Sequence, residues 1–186
     1  MPSNSTAPAD HAAWGLRHFD VWLFRWMRAG HGARLTLLAL ARQVSRHSWV
    51  PLLATLFAMA ASLQEGGWTV AMLCLCAATV AQVVSKKCAL VWAAPRPFAL
   101  GLSHNHLKHG SRAGLPSTHA AVMGSVVGFM AVAAPGHPLL AVLGTIALGT
   151  AWARVYVGAH FPTDVLLGLS LGGALGWAGA RLCGLG

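Results

Sequence analysis

The stretch Ala153–Leu182 reads ARVYVGAHFPTDVLLGLSLGGALGWAGARL and joins a small polar cluster to an apolar segment about as long as a membrane crossing. Pro162 suits the first position of a helix, so His160 would lie just before that helix and Asp164 in its first turn. From there the carboxylate could reach back to one imidazole nitrogen and leave the other free as a nucleophile. The structural alternative is a pair that only caps a membrane helix. An ionisable pair at a membrane helix end favours a functional role.

The composition is that of an integral membrane protein. Of the 186 residues, 56% are hydrophobic and 9% are charged, whereas soluble domains carry roughly 25% charged residues. Thirteen Lys and Arg against four acidic residues give a net charge of +9. Because the apolar residues form long runs, we expect membrane lipids and phosphate substrates as partners, and no nucleic acid. Four cysteines show no paired metal-ligand spacing, and no removable signal peptide is evident.

Apolar runs predict an all-α fold, an integral membrane bundle of about five transmembrane helices with interfacial helices at the N-terminus. The candidate spans are 49–63, 68–84, 117–134, 138–152 and 162–182. Several are shorter than the roughly 20 residues that a bilayer core requires. We therefore expect the first to start before Trp49 and the second to continue towards Trp92. Counting crossings places the 85–116 and 153–161 loops on the same membrane face, as a shared site requires.

The first 47 residues differ from the rest of the chain. Between residues 14 and 46, Trp, Phe and Leu alternate with arginine, which is typical of helices that lie in the membrane interface. The alternative is a soluble helix pair packed on the membrane domain. We divide the chain into a polar tail with interfacial amphipathic helices, 1–47, and a membrane-embedded domain, 48–186.

A second motif, Pro116-Ser117-Thr118-His119, opens an apolar helix. Free amide groups at a helix start, with the Ser117 hydroxyl beside them, can cradle a phosphate. His119 would then be placed to protonate a leaving group. The alternative is ordinary N-capping by Ser117 or Thr118 with an incidental histidine.

A third motif, Pro95-Arg96-Pro97-Phe98, is weak when taken alone, because Arg96 could simply anchor at lipid headgroups. Together with Arg154, however, Arg96 would supply two planar guanidinium groups. Each guanidinium group can donate two parallel hydrogen bonds to two oxygens of a tetrahedral dianion. Two histidines, a carboxylate and two arginines are sufficient for phosphate chemistry without a metal.

Taken in their order along the chain, from Arg96 to Asp164 and spread over about 70 residues, the three motifs resemble those of the type 2 phosphatidic acid phosphatase superfamily of membrane lipid phosphatases. The family's motifs are Lys-x6-Arg-Pro, Pro-Ser-Gly-His and Ser-Arg-x5-His-x3-Asp. The resemblance implies that His160 is the nucleophile and forms a phosphohistidine, that Asp164 orients it, and that His119 protonates the leaving group. It also implies the phosphate-binding set, which comprises Arg96, Arg154, Ser117 and the backbone amide of Thr118.

Three positions depart from the family pattern. Thr118 replaces a glycine, Ala153 replaces a serine, and Ala89 stands where the family has a lysine. If the preceding stretch is helical at roughly 100° per residue, Lys86 points about 60° from the usual lysine direction and Lys87 about 160° away from it. Lys86 is therefore the candidate substitute for the missing phosphate-binding lysine.

The loop between the first two family motifs is rich in basic groups, namely His104, His106, Lys108, His109 and Arg112. We expect it to give the mouth of the site a positive potential that attracts a diphosphate. Solvated residues without a role are one alternative. A histidine metal site is another, but it has no nearby Cys, Asp or Glu ligand. We predict neither a metal nor a cofactor.

Residues 19–24 followed by a short bundle resemble the small bacterial undecaprenyl diphosphate phosphatases of this superfamily. The predicted reaction is hydrolysis of undecaprenyl diphosphate to undecaprenyl phosphate. Alternatives are a phosphatidylglycerophosphate, phosphatidate or lipid A phosphatase, or, in another class, a membrane scaffolding protein whose site has decayed. The resemblance implies a bacterial plasma membrane protein with its active site on the outer, periplasmic face, whereas the Lys and Arg distribution favours the cytoplasmic side.

Overall fold

A computed structural model describes residues 9–30, 34–63, 65–104 and 114–186, with side chains from residue 18 onward. The helices are α1 (Ala9–Met27), α2 (Leu35–His47), α3 (Trp49–Ser62), α4 (Gly67–Trp92), α5 (Thr118–Ala133), α6 (Leu139–Tyr156) and α7 (Pro162–Leu182). A short 3₁₀ helix, Pro97–Leu100, follows α4. These residues contain no strand, which confirms the predicted all-α fold class.

Three segments are long and apolar enough to cross a membrane, namely Gly67–Leu100, Leu139–Tyr156 and Pro162–Leu182. Two further helices, Trp49–Ser62 and Thr118–Ala133, are apolar but shorter. The chain is therefore a multi-pass membrane protein. The count of five crossings stays a prediction.

The helix boundaries differ from the predicted spans at two places. One is the end of α6, which continues to Tyr156, beyond the predicted end at Trp152. The second span does run on to Trp92 as expected, but α3 begins at Trp49 and not before it. Ser48 separates α3 from α2, although its N–H still donates to the Val44 carbonyl at 3.1 Å. The reason for the break is Pro51, which has no N–H to donate to the carbonyl four residues earlier.

Helices α5 and α7 pack backbone against backbone through a row of glycines at four-residue intervals on α7. A side chain at any of these positions would collide with the α5 main chain: Gly168 faces Ser117, Gly172 faces Ala121 and Gly176 faces Ser125. Small residues in this spacing allow such close approach between membrane helices. At the end of this contact the Ser117 N–H donates to the Asp164 carbonyl at 2.9 Å. The start of α5 is thereby fixed to the start of α7.

The connections between helices segregate to two ends of the bundle. At one end, the α3–α4 and α5–α6 turns meet where Ser62 Oγ lies 2.8 Å from His137 Nε2. At the other end, the loop after α4 meets the loop after α6, because Arg96 Nη1 donates to the Ala159 carbonyl at 3.2 Å. This agrees with the crossing count made from the sequence.

The two N-terminal helices pack against the end that carries the motifs. From α1, the Phe24 ring is buried and meets Phe161 edge-on, with ring centroids 5.3 Å apart. From α2, Ala41 packs into a cluster with Ala153 and Ala159. Among the described side chains of α1, the large apolar ones that are exposed are Phe19, Trp22 and Trp26, a set typical of the membrane interface. The division of the chain at residue 47 remains a prediction.

Candidate active site

The segment between α6 and α7 folds back on itself and presents one histidine. Arg154 lies in the last turn of α6, and its carbonyl accepts hydrogen bonds from the N–H groups of Ala159 and His160 at 3.0 and 3.3 Å. Gly158 turns the chain between them with φ of 76°, a conformation that side chains disfavour. Pro162 then starts α7, which places Asp164 in the first turn. The local geometry is that predicted from the spacing.

His160 is held in one tautomer. Its Nδ1 lies 2.8 Å from the Gly114 carbonyl oxygen. Because a carbonyl can only accept, Nδ1 carries the proton and Nε2 keeps its lone pair. That nitrogen lies 3.4 Å from Nη1 of Arg96 and 3.3 Å from Nη2 of Arg154. The free lone pair therefore faces two guanidinium groups.

Asp164 assists this arrangement from a greater distance. Its Oδ2 lies 3.5 Å from Nδ1 of His160 and accepts the Phe161 N–H at 2.9 Å. The shorter contact to Nδ1 comes from Gly114, a residue that the sequence reasoning missed. A Cβ at that glycine would lie 3.3 Å from Cγ of Arg96 and 3.5 Å from Oδ2 of Asp164. Because the contact uses a backbone carbonyl, the residue type at this position gives little sign of it.

Burial controls the charge of the candidate nucleophile. His160 is only 2% exposed, and this burial lowers its pKa well below the ordinary value. The charges of Arg154, Arg96 and His119 act in the same direction, while the hydrogen bond with Gly114 opposes them. The imidazole is therefore neutral near pH 7 and able to attack phosphorus.

The two arginines create a site for an anion. Arg154 is 3% exposed and donates through Nη1 to Ser45 Oγ at 3.1 Å. No local pattern in the sequence predicts this contact from α2. Two partly desolvated cations that converge on one nitrogen repel each other. A phosphoryl group between them would relieve this repulsion.

Ser117 contributes a buried hydroxyl to the same end of the bundle. It occupies the N-cap position of α5, but its side chain makes no capping hydrogen bond. Within the described part of the chain, its buried Oγ has no hydrogen-bond partner. An unsatisfied buried hydroxyl is costly unless a ligand completes it. The capping alternative thus lacks support for Ser117, and a phosphate oxygen is the natural complement.

The remaining candidates are less buried than His160 and Arg154. Thr118 begins α5 half-buried, and His119 follows it with an exposed side chain. Lys86 and Lys87 are both exposed on α4, whereas Ala89 is buried. No hydrogen bond from Lys86 to a site residue occurs among the residues described. The structure therefore brings together Arg96, Arg154, His160 and Asp164, with Ser117 hydrogen-bonded to the last, but does not add Lys86.

The loop candidates are mostly outside the described residues: His106, Lys108, His109 and Arg112 fall in 105–113. His104 is described and lines a cavity beside α1. Among the described residues no group of three His, Cys, Asp or Glu could hold a metal ion. That finding does not reach the loop, so the expected absence of a metal stays a prediction.

Comparison with curated proteins finds a relative that is named as a phosphatase. The chain is 35% identical over 89 residues to "Putative undecaprenyl-diphosphatase YbjG" of Escherichia coli (strain K12), in an alignment that covers 47% of this chain and 43% of that protein. The chain thus spans less than half the length of this curated relative.

Two crystal structures share the fold. LpxE of Aquifex aeolicus superposes with a TM-score of 0.71 at 18% identity, over 97% of this chain and 99% of LpxE. A PAP2 type phosphatidylglycerolphosphate phosphatase of Bacillus subtilis gives 0.66 at 20% identity, over 91% and 87% of the two chains. The sequence model of the PAP2 superfamily matches residues 67–183, more than half of the chain. This protein therefore belongs to the PAP2 superfamily, the family of membrane lipid phosphatases that its three motifs resemble.

Proposed function

We propose that this protein removes the terminal phosphate from a lipid diphosphate, with undecaprenyl diphosphate as substrate and undecaprenyl phosphate as product. The observation that carries the chemistry is the position of His160 Nε2, unprotonated and within 3.4 Å of two guanidinium groups. The lipid is proposed from the 35% identity to the Escherichia coli relative.

In the first step Nε2 of His160 attacks the terminal phosphorus, and the bond to the bridging oxygen breaks. Arg96 and Arg154 bind the equatorial oxygens, where negative charge is held in the transition state. The Ser117 hydroxyl donates to one of these oxygens. His119 protonates the departing oxygen, so lipid monophosphate leaves and phosphohistidine remains.

In the second step water attacks the phosphohistidine. His119, now neutral, accepts a proton from that water, and Nε2 leaves phosphorus with its electron pair. Inorganic phosphate is released and both histidines return to their starting states. Throughout, Gly114 and Asp164 stabilise the positive charge that develops on the imidazole of His160, because both present oxygens to Nδ1.

The direct test is phosphate release by His160→Ala in detergent with undecaprenyl diphosphate. Loss of the nucleophile removes the covalent route, so turnover should fall by more than about a thousandfold, or roughly 4 kcal/mol. His47→Ala is the matched control, since His47 is an exposed histidine at the end of α2. Turnover of His160→Ala within about tenfold of the parent would sink the mechanism. A parent without turnover on any lipid phosphate would favour the scaffolding alternative.

Metal independence is part of the proposal, because the guanidinium groups occupy the role that a cation would otherwise fill. Activity should persist in EDTA, and vanadate should inhibit competitively by occupying the phosphoryl position. Loss in EDTA that one divalent metal restores would instead support a metal site in the 104–112 loop.

We also propose that the site lies on the outer face of a bacterial plasma membrane. The chain offers two reporters at opposite ends of the bundle. Leu100→Cys would lie on the motif side, and the native, exposed Cys183 follows α7 at the far end. In intact spheroplasts an impermeant maleimide should label the introduced cysteine and not Cys183. The reverse pattern would place the site in the cytoplasm, as the charge distribution favours.

A further inference from the structure

A cavity of about 910 Å³ lies between α1, α2 and the loop that follows the 3₁₀ helix. Among the described residues that line it there is no residue of the catalytic set. Its volume is in the range of sites that hold a small ligand. The proposed reaction assigns it no role.

The lining of this cavity combines positive charge with an apolar wall. Arg25 contributes from the last turn of α1, and Arg28 follows directly after that helix, with its N–H bonded to the Phe24 carbonyl at 2.8 Å. Leu35 and Leu38 contribute from α2. Guanidinium groups beside aliphatic side chains suit an amphiphile with a phosphate head.

The charge of the cavity is not neutralised within the described residues. The Nε atom of Arg28 is buried and has no hydrogen-bond partner there. Of the acidic side chains described, Asp20 accepts from Thr163, Asp164 accepts from Phe161, and Glu65 lies in the turn at the far end of the bundle. A buried donor without a partner costs free energy, which an anionic ligand would recover.

The cavity is connected to the catalytic segment through two hydrogen bonds. Ser103, on its wall, donates from Oγ to the Gly158 carbonyl at 3.2 Å. Ala29, also on its wall, donates its N–H to the Tyr156 carbonyl at 3.0 Å. These carbonyls precede His160 by two and four residues. A ligand in the cavity would therefore stabilise the segment that holds the nucleophile.

We propose that this cavity binds the phosphate-bearing headgroup of a lipid, at a position separate from the phosphoryl group that reacts. Two sources supply that chemistry. One is a neighbouring phospholipid such as phosphatidylglycerol, whose diester cannot be hydrolysed by the proposed reaction. The other is a part of the substrate that remains after the terminal phosphate is removed.

The test measures thermal unfolding and needs no turnover, so its failure is distinct from failure of the proposed function. The His160→Ala protein in maltoside micelles is titrated with phosphatidylglycerol, phosphatidylcholine or farnesyl diphosphate. The same titrations are repeated after Arg25→Gln and Arg28→Gln have been introduced into the His160→Ala protein. Arg181→Gln is the matched control, because Arg181 lies at the far end of α7, where Nη1 donates to the Gly186 carbonyl.

We expect phosphatidylglycerol to raise the midpoint temperature of unfolding and phosphatidylcholine not to do so. The double substitution should raise the phosphatidylglycerol concentration that gives half of this shift at least about tenfold, or 1.4 kcal/mol. This outcome identifies a neighbouring phospholipid, and not the substrate, as the source of the bound headgroup. A shift by farnesyl diphosphate alone, lost in the same variant, identifies the substrate as the source.

Three outcomes overturn the proposal: no shift by any probe, shifts that survive the double substitution, and shifts that Arg181→Gln abolishes equally. If the double variant does not fold, Arg28→Lys serves instead. Lysine keeps the charge but cannot form paired hydrogen bonds. A weakened shift supports the site, and an unchanged one overturns it.

Discussion

Replacing Asp20 by alanine should slow phosphate release while leaving the apparent affinity for substrate nearly unchanged. Asp20 lies on α1 and is 9% exposed. Its two carboxylate oxygens accept from Thr163, one from the N–H at 3.1 Å and one from Oγ1 at 2.6 Å. Thr163 is the residue before Asp164 in the first turn of α7, where N–H groups have no partner within the helix. Asp20 is therefore a positioning residue that caps α7 from another helix.

The size of the effect follows from those contacts. Without the carboxylate, the Thr163 N–H loses its partner at a cost of about 1–3 kcal/mol. Burial raises the pKa of Asp20, although the hydrogen bonds from Thr163 oppose the rise. Part of the gain is thus already offset by desolvation. We expect the free energy of unfolding to fall by about 2 kcal/mol and kcat to fall about tenfold, as for modest displacement of a catalytic group.

The assay compares kcat and KM for Asp20→Ala and Asp20→Asn. Asparagine keeps one oxygen for the Thr163 N–H, and its amide can donate to Oγ1, so this variant should retain most activity. Glu65→Gln, an exposed acid at the far end, controls for loss of charge. The reasoning is refuted if Asp20→Ala keeps the parent kcat, or if Asp20→Asn is impaired as severely as Asp20→Ala.

Three further predictions concern packing, pH and charge. Gly172→Ala should destabilise the protein in thermal unfolding because its Cβ meets Ala121, whereas Gly144→Ala, with open space around it, should not; equal midpoints would contradict the packing. Because the pKa of His160 is lowered in the folded protein, the unfolded chain binds an extra proton below about pH 6.5, and the free energy of unfolding should fall by up to about 1.4 kcal/mol per pH unit on acidification. In urea unfolding, His160→Ala should lack this part of the pH dependence. Identical slopes of unfolding free energy against pH in the parent and in His160→Ala would exclude a contribution from His160. Lys86→Ala should reduce kcat/KM more than Lys87→Ala, but by under about 1 kcal/mol because both are exposed; a larger defect at Lys87 would show that the sequence argument chose the wrong lysine.

Most of the central geometry could be predicted from local spacing. The four-residue spacing between His160 and Asp164, with Pro162 between them, predicts a histidine before a helix and a carboxylate in its first turn. The parity of the apolar runs was enough to bring Arg96 to the same end. These features depend on helix periodicity and chain order, which a single sequence records directly.

The missed residues share a different origin. Gly114 acts through its carbonyl oxygen, and any residue type has one, so spacing carries little information about it. Ser45 and Asp20 contact the site from helices more than 100 positions away in the chain. The row from Gly168 to Gly176 was visible as a pattern and could have predicted a packing face on α7. The partner of that face depends on tertiary structure alone.

Because the main chains of α5 and α7 touch, the two helices behave as a single block, and the start of one cannot move relative to the start of the other without separating the row of glycines. Ser117 and Asp164 therefore keep a fixed position relative to each other. Few substitutions within this block could change the proposed lipid preference without separating the two helices. Variation that alters the proposed lipid preference should accumulate instead on the exposed faces of α1 and α2, where a side chain can grow without contacting this block. A design that aims to change the proposed lipid specificity would therefore randomise those exposed faces and leave the glycines between α5 and α7 unchanged.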